Sequence, residues 1–253
     1  MPPPLLRLIC RKAKKRVEST AKAVLSRYMS MAKSYLRYRL KAKSRHGVHS
    51  PFVYEIVEKV VQANGARKGA AIEHLRKALK KDTRLVEIND LGAGSRNGAG
   101  TSRTVGQIAR GSATAPAQAA FLQRLATHLK CRNILELGTN LGLTTAYLAS
   151  AGHAERTLSI EGDADLAKMA AANLAKLDVA AEVRCGNFDD LLEPALRELQ
   201  SPDLVYVDGN HRKSPTLRYF DTITQYASEN TLVVLGDIHW SGEMEEAWEA
   251  VQR

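Results

Sequence analysis

Five acidic or amide residues in the second half of the chain each stand at the end of a short apolar run. Such runs, separated by helix-like segments, are typical of the parallel strands of an α/β fold. The carboxyl ends of parallel strands lie along one edge of a sheet, where ligands bind. The five side chains are therefore predicted to converge on one site: Glu136, Glu161, Asn187, Asp208 and Asp237.

The first of these residues lies in NILELGTNLGLTTAYLA, residues 133–149, which predicts a strand, a tight turn and a helix. Gly138 and Gly142 would permit the turn and a close approach of the backbone to a ligand. The free amides at the helix start would face that ligand. About twenty residues later, RTLSIEG (156–162) predicts a strand ending in Glu161, an acid suited to accept hydrogen bonds from ribose hydroxyls. Together the two segments predict a nucleoside-bearing cofactor.

Three further runs complete the predicted sheet. They are AEVRCG (181–186), DLVYVDG (203–209) and TLVVLGD (231–237), each followed by polar residues. Helical patterns lie between the runs and over 117–129. The fold class is therefore predicted as α/β, with a Rossmann-like, doubly wound and mostly parallel sheet that follows a helical N-terminal region.

The spelling ELGTNLG lacks the dinucleotide pattern G-x-G-x-x-G and resembles the first motif of class I S-adenosylmethionine-dependent methyltransferases. The resemblance implies S-adenosylmethionine as the cofactor and gives each of its parts a set of binding residues. These are Glu136, Gly138, Thr139, Asn140 and Gly142 for the methionine end, Glu161 and Gly162 for the ribose, and Asn187 and Phe188 for the adenine.

The later motifs resemble the small-molecule O-methyltransferases related to catechol O-methyltransferase. In that family the fourth strand ends in a metal-binding Asp, and a Lys three residues later acts as the base. The corresponding residues here are Asp208 and His211. Histidine can accept a hydroxyl proton near neutral pH, so the resemblance implies Asp208 and His211 as the catalytic residues.

The same resemblance implies a magnesium site, with one departure from the family pattern. The family's fifth strand ends in Asp-Asn, whereas Asp237 is followed by the apolar Ile238. Asp208 and Asp237 with water could hold a hard cation such as Mg²⁺, and His239 could add a nitrogen ligand that favours a softer metal. Without a metal, Asp208 would orient the cofactor amine or His211, and Asp237 would cap the last turn.

These features predict methyl transfer from S-adenosylmethionine to a hydroxyl of a small acceptor, with aromatic compounds among the candidates. The turn after the fourth strand, DGNH (208–211), lacks the Asn/Asp-Pro-Pro-aromatic pattern of enzymes that methylate exocyclic amino groups of bases. Oxygen is therefore favoured as the accepting atom. Two alternatives are a non-catalytic methyltransferase fold that serves as a membrane or RNA adaptor, and an RNA methyltransferase.

The net charge of +10 is distributed very unevenly along the chain. Residues 1–46 contain fourteen Lys and Arg against the single acid Glu18, whereas the rest of the chain carries 23 basic and 26 acidic residues. Apolar residues recur at roughly helical spacing in the basic segment. Three regions are predicted: a basic amphipathic helical arm (1–46), a helical cap region (47–130) and a cofactor-binding Rossmann-like domain (131–253).

The basic arm has three predicted roles: packing on the domain, contact with an anionic membrane surface, or contact with RNA. The acidic balance of the remaining chain gives no support for a nucleic-acid groove there. No apolar run reaches the roughly 18 to 20 residues of a spanning helix, and Cys10, Cys131 and Cys185 lack disulfide or zinc spacing. A cytoplasmic location is predicted, with peripheral contact at the inner membrane face as an extension.

Two segments before the predicted sheet carry further signals. HGVHSPF (46–52), together with DGNH and IHWS (238–241), resembles a bacterial subgroup of methyltransferase-domain proteins, and Ser50-Pro51 predicts a helix start. The Gly-rich segment DLGAGSRNGAG (90–100) predicts either a flexible surface loop or a substrate-side lid.

The end of the predicted sheet also departs from the class I pattern. These sheets normally finish with a hairpin of two strands after the fifth strand and its helix, and no such hairpin is predicted after the helix that begins near Gly242. The last two strands are therefore expected to be absent. An open fifth strand would expose an apolar edge, which favours a homodimer or aggregation.

Overall fold

Residues 50–62, 69–88 and 102–253 are described by the computed structural model. They belong to the second of two units of the chain, Ser50–Arg253. The basic arm predicted over 1–46, the histidines His46 and His49, and the Gly-rich loop 90–100 lie outside the described residues.

The described chain begins with a mostly helical region, as predicted. Ser50 caps the first helix, because its hydroxyl accepts a hydrogen bond from the Val53 amide at 3.4 Å, and Pro51 takes the first helical position. The elements in order are α1 (Pro51–Ile56), continued by a π-helical segment (Val57–Val61), α2 (Ala70–Leu79), β1 (Leu85–Glu87), β2 (Ser102–Thr104), α3 (Val105–Gly111) and α4 (Pro116–His128).

The second half alternates strands with helices. The last three strands are shorter than predicted at their carboxyl ends, because the residues there turn away from the sheet. The elements in order are β3 (Asn133–Leu137), α5 (Leu143–Ala149), β4 (Arg156–Glu161), α6 (Ala164–Lys176), β5 (Glu182–Cys185), α7 (Phe188–Leu199), β6 (Leu204–Val207), α8 (Lys213–Thr224), β7 (Leu232–Leu235) and α9 (Gly242–Val251).

The main sheet has five parallel strands in the order β5-β4-β3-β6-β7, and β1 pairs with β2 in a separate antiparallel hairpin. This arrangement confirms the α/β prediction. The chain moves outward from β3 in one direction through β4 and β5, and in the other through β6 and β7. The switch point between the two directions lies at β3 and β6, where open α/β sheets bind ligands.

The strand β7 forms one edge of this sheet. Its four residues are only half-buried, and within the described residues no further strand pairs with it. The expected absence of the last two strands of the class I pattern stays a prediction.

The central strands are buried on both faces, as parallel strands covered by helices must be. Side chains alternate between the faces, so β3 contributes to two hydrophobic clusters. One cluster joins Leu135, Leu158 and Val205 to Leu196 of α7 and Ile223 of α8. The other joins Ile134, Leu204 and Tyr206 to Leu122 of α4 and Leu148 of α5.

A third hydrophobic cluster connects the helical region with the sheet's helices. Ile72 of α2 and Ile108 of α3 belong to the same cluster as Tyr147 of α5 and Leu166 of α6. The division at 130/131 stays a prediction, and the two parts on either side of it share this core. In the part of the chain that the structure describes, no helix is long and apolar enough to span a membrane.

Candidate functional site

A cavity of about 370 Å³ opens at the carboxyl ends of the parallel strands. Most residues predicted as site residues line it, and they include residues at or just after the ends of all five strands. These are Gly138, Thr139, Asn140, Glu161, Gly162, Asn187, Phe188, Asp208, His211 and Asp237. Glu136, Gly142 and His239 are not part of the lining.

The turn after β3 requires glycine at its first position. Gly138 has φ +104°, and a Cβ there would lie 2.3 Å from the backbone oxygen of Asp208. This contact is far below van der Waals distance, and the left-handed backbone adds a conformational penalty for any other residue. Gly138 therefore lets the β3 and β6 ends approach each other at the switch point.

Glu161 at the end of β4 is bound to the turn after β3. Its Oε2 accepts a hydrogen bond from the Asn140 amide at 2.6 Å, and its Oε1 accepts one from the Asp163 amide at 3.0 Å. Burial raises the pKa of this carboxyl group, and the two amide hydrogen bonds oppose the rise. A carboxylate has about four lone-pair sites, so both oxygens keep capacity for hydroxyl donors from a ligand.

Glu136, on β3, is fully buried beneath the cavity. Its Oε2 accepts hydrogen bonds from the hydroxyls of Thr145 at 2.5 Å and Ser159 at 2.7 Å. Its Oε1 is buried and has no hydrogen-bond partner among the described residues. Burial raises the pKa of Glu136 to about 8, against an ordinary value of 4.5. The predicted contact with a methionine group stays a prediction, and the geometry gives Glu136 a place behind the cavity wall.

We expect Glu136 to make stability depend on pH. Between pH 4.5 and about 8 the folded protein keeps the Glu136 proton that the unfolded chain releases. Folding therefore takes up a proton in this window, and the free energy of unfolding falls as pH rises, by at most about 1.4 kcal/mol per pH unit. The stabilising contribution is fully present below the window and lost above it.

The variant Glu136→Gln is expected to remove this slope, because glutamine keeps an acceptor oxygen but does not titrate. Urea unfolding of both proteins at about pH 5 and about pH 8 measures the difference. Other titrating groups are common to both proteins, so the change in slope isolates Glu136. Equal slopes would show that Glu136 is ionised throughout in the folded state.

Asp208, at the end of β6, accepts two hydroxyl hydrogen bonds at the same oxygen. Tyr206 donates to Oδ2 at 2.8 Å, and Thr114, from the segment before α4, donates to it at 3.2 Å. Burial raises the pKa of Asp208, while His211 and the two hydroxyl groups oppose the rise. The Asp208 carboxyl group is therefore held in a fixed orientation at the cavity floor.

His211 lies between Asp237 and Trp240. Its Nε2 is 3.8 Å from Asp237 Oδ2, and its ring stacks on Trp240 with centroids 5.1 Å apart and planes inclined by 26°. One potential metal-ligand atom from each of Asp208, His211 and Asp237 lies within 4.8 Å of the other two. His211 is therefore placed to exchange a proton with a cavity-bound hydroxyl or to join two carboxylates around a cation.

The alternative in which His239 supplies a metal ligand stays a prediction, and His239 is not in the group of side chains that the structure brings together for a cation. The His239 ring points to α9, where its Nδ1 lies 3.2 Å from Glu245 Oε1, and 56% of the side chain is exposed. The histidine beside the two carboxylates is His211. The turn after β7 directs the His239 ring to α9 although the next residue, Trp240, lines the cavity, so nearness to Asp237 in sequence does not place a side chain at the site.

The predicted adenine-binding residues form an apolar end of the cavity. Asn187 caps α7 by accepting a hydrogen bond from the Asp189 amide at 3.1 Å. The next residue, Phe188, packs edge to face against Tyr219 of α8, with centroids 5.7 Å apart. Asn210 donates to the Tyr219 hydroxyl at 2.9 Å, and its Oδ1 is buried without a partner among the described residues. An amine donor of a ligand could satisfy this oxygen.

Left-handed backbone conformations concentrate around the cavity. Seven described residues other than glycine have positive φ. Three follow helix ends: Lys130, Asp178 and Gln200. The other four follow β3, β6 or β7 and line the cavity: Asn140 (φ 51°), Asn210 (66°), His211 (48°) and Asp237 (49°). Sharp turns at the strand ends thus aim these side chains into the site.

Sequence reasoning did not identify four residues that shape this cavity. Tyr206 precedes Asp208 by two positions, and strand alternation could have placed both on one face. Trp240 stacks on His211, and Arg103 of β2 is the one Lys or Arg in the cavity lining formed by described residues. Thr114 is 94 residues from Asp208 in sequence, and no local pattern signals that contact.

Residues 135–238 match the model of a family described as a methyltransferase domain. A catechol O-methyltransferase from Niastella koreensis is 32% identical over 133 residues, which are 51% of this chain and 59% of that protein. The chain thus spans less than two thirds of this curated relative. These matches confirm the resemblance to catechol O-methyltransferase and the class I enzymes.

The crystal structure of cofactor-bound Rv0187 from MTB has the same fold. Its TM-score with this chain is 0.51 at 22% identity, over 81% of this chain and 85% of that one. The chain therefore has a methyltransferase-like α/β fold, and its match to the methyltransferase domain model covers the segment that carries all five strand ends of the site.

Proposed function

We propose that this protein transfers the methyl group of S-adenosylmethionine to a hydroxyl oxygen of a small acceptor. The observation that carries the proposal is the pairing of the Asn140 amide with Glu161 at the mouth of a cavity at the β3/β6 switch point. A nucleoside cofactor binds at this place in open α/β sheets, with its ribose on the acid that ends the second strand.

The lining residues suit the three parts of such a cofactor. The turn with Gly138, Thr139 and Asn140 offers backbone groups to the methionine end. Glu161 has free lone pairs for two ribose hydroxyls, and Phe188 offers an apolar edge for the adenine ring. The unsatisfied Asn210 oxygen lies in the same wall and suits the amino group of a base.

The bound cofactor would supply a methyl group on a positively charged sulfur. In the reaction, the acceptor oxygen forms a bond to the methyl carbon while the bond from carbon to sulfur breaks, and the hydroxyl proton leaves. His211 is the group placed to accept this proton, and Asp208 would orient the acceptor or His211. Positioning of donor and acceptor in line supplies much of the rate.

A divalent cation fits the same three side chains. One imidazole nitrogen and two carboxylates suit Mn²⁺ or Zn²⁺ as ligands as well as they suit Mg²⁺. Ile238 has no side-chain oxygen to replace the Asn of the catechol O-methyltransferase pattern. A histidine that binds a metal cannot take up the hydroxyl proton at the same nitrogen. Metal binding and general-base action by His211 are therefore alternatives, of which the proposal adopts the second.

A calorimetric titration with S-adenosylhomocysteine tests the cofactor assignment. We expect saturable binding by the wild type, and Glu161→Ala should weaken it about 10- to 100-fold, because a carboxylate that accepts hydrogen bonds from the ligand is lost. The control is Glu155→Ala, which removes an exposed carboxylate paired with Arg132 outside the cavity. Well-folded wild type that shows no binding would refute the proposal.

The predicted partners other than the cofactor remain proposals. A small-molecule acceptor agrees with the size of the cavity. The anionic membrane surface and RNA concern residues 1–46, outside the described residues, and a homodimer through β7 would cover its half-buried edge. A cytoplasmic location likewise stays a proposal.

A further inference from the structure

One wall of the cavity is a four-residue segment that links α3 to α4. All of Ser112, Ala113, Thr114 and Ala115 line the cavity. Two contacts tie the segment to the sheet: Asn140 Nδ2 donates to the Ser112 carbonyl at 3.4 Å, and the Thr114 hydroxyl donates to Asp208 at 3.2 Å. The shape of the ligand cavity therefore depends on what holds this segment in place.

The segment is held from behind by Arg76 of α2. This arginine is 2% exposed and does not line the cavity. Its Nη1 donates to the Thr114 carbonyl at 2.9 Å, and its Nε donates to Glu73 Oε1 at 3.0 Å. Tyr147 of α5 donates to the same Glu73 oxygen at 3.1 Å. A continuous chain of polar contacts thus runs from α5 through α2 to Thr114 and Asp208.

The energetics of these polar contacts indicate that Arg76 positions the 112–115 segment more than it stabilises the fold. A buried ion pair gains little over an apolar replacement, since desolvation offsets the attraction. Arg76 also leaves Nη2 buried with no hydrogen-bond partner among the described residues, which is unfavourable. What the guanidinium provides is geometry, because two donors of one rigid plane fix the Thr114 carbonyl relative to Glu73.

We propose that Arg76, oriented by Glu73, is a positioning residue for the cofactor cavity. It acts through the Thr114 carbonyl and sets the position of the wall formed by residues 112–115. The inference rests on the proposed function, because S-adenosylhomocysteine is the ligand whose fit it governs. The helix α2 is then part of the binding site, although Arg76 itself touches no ligand.

The test compares Arg76→Met with Arg124→Met in the full chain. Arg124 offers a matched control: its Nε donates to the Val60 carbonyl at 2.9 Å, it is partly buried, and it lies outside the lining. Both variants lose one hydrogen bond from an arginine to a backbone carbonyl, so both should have a lower melting temperature than the wild type. Only Arg76→Met should weaken the binding of S-adenosylhomocysteine, by about tenfold. Arg76→Lys should restore part of the affinity, because its ammonium group can still donate to the Thr114 carbonyl.

A double-mutant cycle tests the route through Thr114. Thr114→Val removes the hydroxyl bond to Asp208 and keeps the carbonyl. If Arg76 acts through Thr114, the combined variant should bind more tightly than the product of the two single effects predicts, because the effects are coupled. Should Arg76→Met fail to fold, Glu73→Gln takes its place in both experiments, with a smaller loss of affinity expected.

Two results would overturn the inference: equal ligand affinities of the Arg76 and Arg124 variants, or fully multiplicative effects in the cycle. These results differ from failure of the proposed function. In that case the folded wild type would not bind S-adenosylhomocysteine at all, whereas failure of the inference alone leaves wild-type binding that depends on Glu161.

Discussion

Replacing His211 by glutamine is expected to lower the turnover of methyl transfer about 10²- to 10⁴-fold, the usual contribution of a general base. Affinity for S-adenosylhomocysteine should change by less than about twofold, because the lost group acts on the acceptor hydroxyl and not on the cofactor. The expectation follows from the position of His211, which lines the cavity beside Asp208 and Asp237. Steady-state rates with a small hydroxyl-bearing acceptor and a parallel calorimetric titration measure both quantities.

His239→Gln is the matched control for this experiment. It changes the same kind of side chain four residues beyond β7, where the ring faces Glu245 outside the cavity. Its turnover should equal that of the wild type. Loss of cofactor affinity in the His211 variant would show that His211 holds the cofactor.

Metal dependence separates the two possible roles of His211. If His211 is the base and Asp208 and Asp237 hold no cation, rates in a chelator and with added Mg²⁺ or Mn²⁺ should agree for the wild type. A wild type that is active only with metal, and a His211 variant that excess metal reactivates, would instead make His211 a ligand together with Asp208 and Asp237.

Gly138→Ala is expected to abolish measurable cofactor binding. The added Cβ would lie 2.3 Å from the Asp208 backbone oxygen, and the residue has φ +104°. Neither strand can yield easily, since the Gly138 amide bonds to the Ile160 carbonyl at 2.9 Å and the Asp208 amide to the Leu137 carbonyl at 2.8 Å. We expect β3 and β6 to separate at the switch point, with a loss of several kcal/mol, roughly 3 to 5, in the free energy of unfolding.

Gly242→Ala provides the control for Gly138→Ala. A Cβ at Gly242 meets no atom of the described residues within 4 Å beyond its chain neighbours, and this residue begins α9. Alanine there should leave binding unchanged and stabilise slightly, by about 0.4 to 1 kcal/mol, through the unfolded state. Denaturant unfolding and ligand titration of both variants check the pair. Normal cofactor binding by Gly138→Ala would mean that the turn can adopt another conformation.

The parallel sheet could be predicted from the sequence because its strands are buried on both faces. Each strand is a short apolar run, and each run ends where the chain turns into the site, so polar residues mark the edge directly. Glu161, Asn187 and Asp208 were located in this way, and the structure brings them to one cavity. Their assignment to parts of the cofactor stays a prediction.

Residue order along a strand could not show which side chains reach the cavity. Glu136 lies one residue from Leu135 and Leu137, and helices cover both sheet faces, so an acid on β3 can be fully buried as easily as exposed. The turn after β7 raises a similar problem, because backbone dihedral angles there decide that His239 faces Glu245.

Contacts between distant segments could not be predicted from the sequence either. The bond from Thr114 to Asp208 joins residues 94 positions apart, and that from Arg76 to Thr114 joins residues 38 apart. Each depends on how the cap helices pack on α5 and α6, which no local periodicity specifies. The sequence indicated which chemical groups lie at the strand ends. The opposite wall of the cavity, residues 112–115, is positioned by tertiary packing.

The left-handed residues at the strand ends imply a trade-off between robustness and activity. A left-handed conformation costs a bulky non-glycine residue of order 1 to 3 kcal/mol, and it costs Asn and Asp less. The strand-end residues in this conformation are Asn140, Asn210, His211 and Asp237. Substitution by glycine would relax the backbone at any of them and would remove the side chain that the turn presents. Glycine substitutions at this rim would therefore raise stability while removing the groups that form the site.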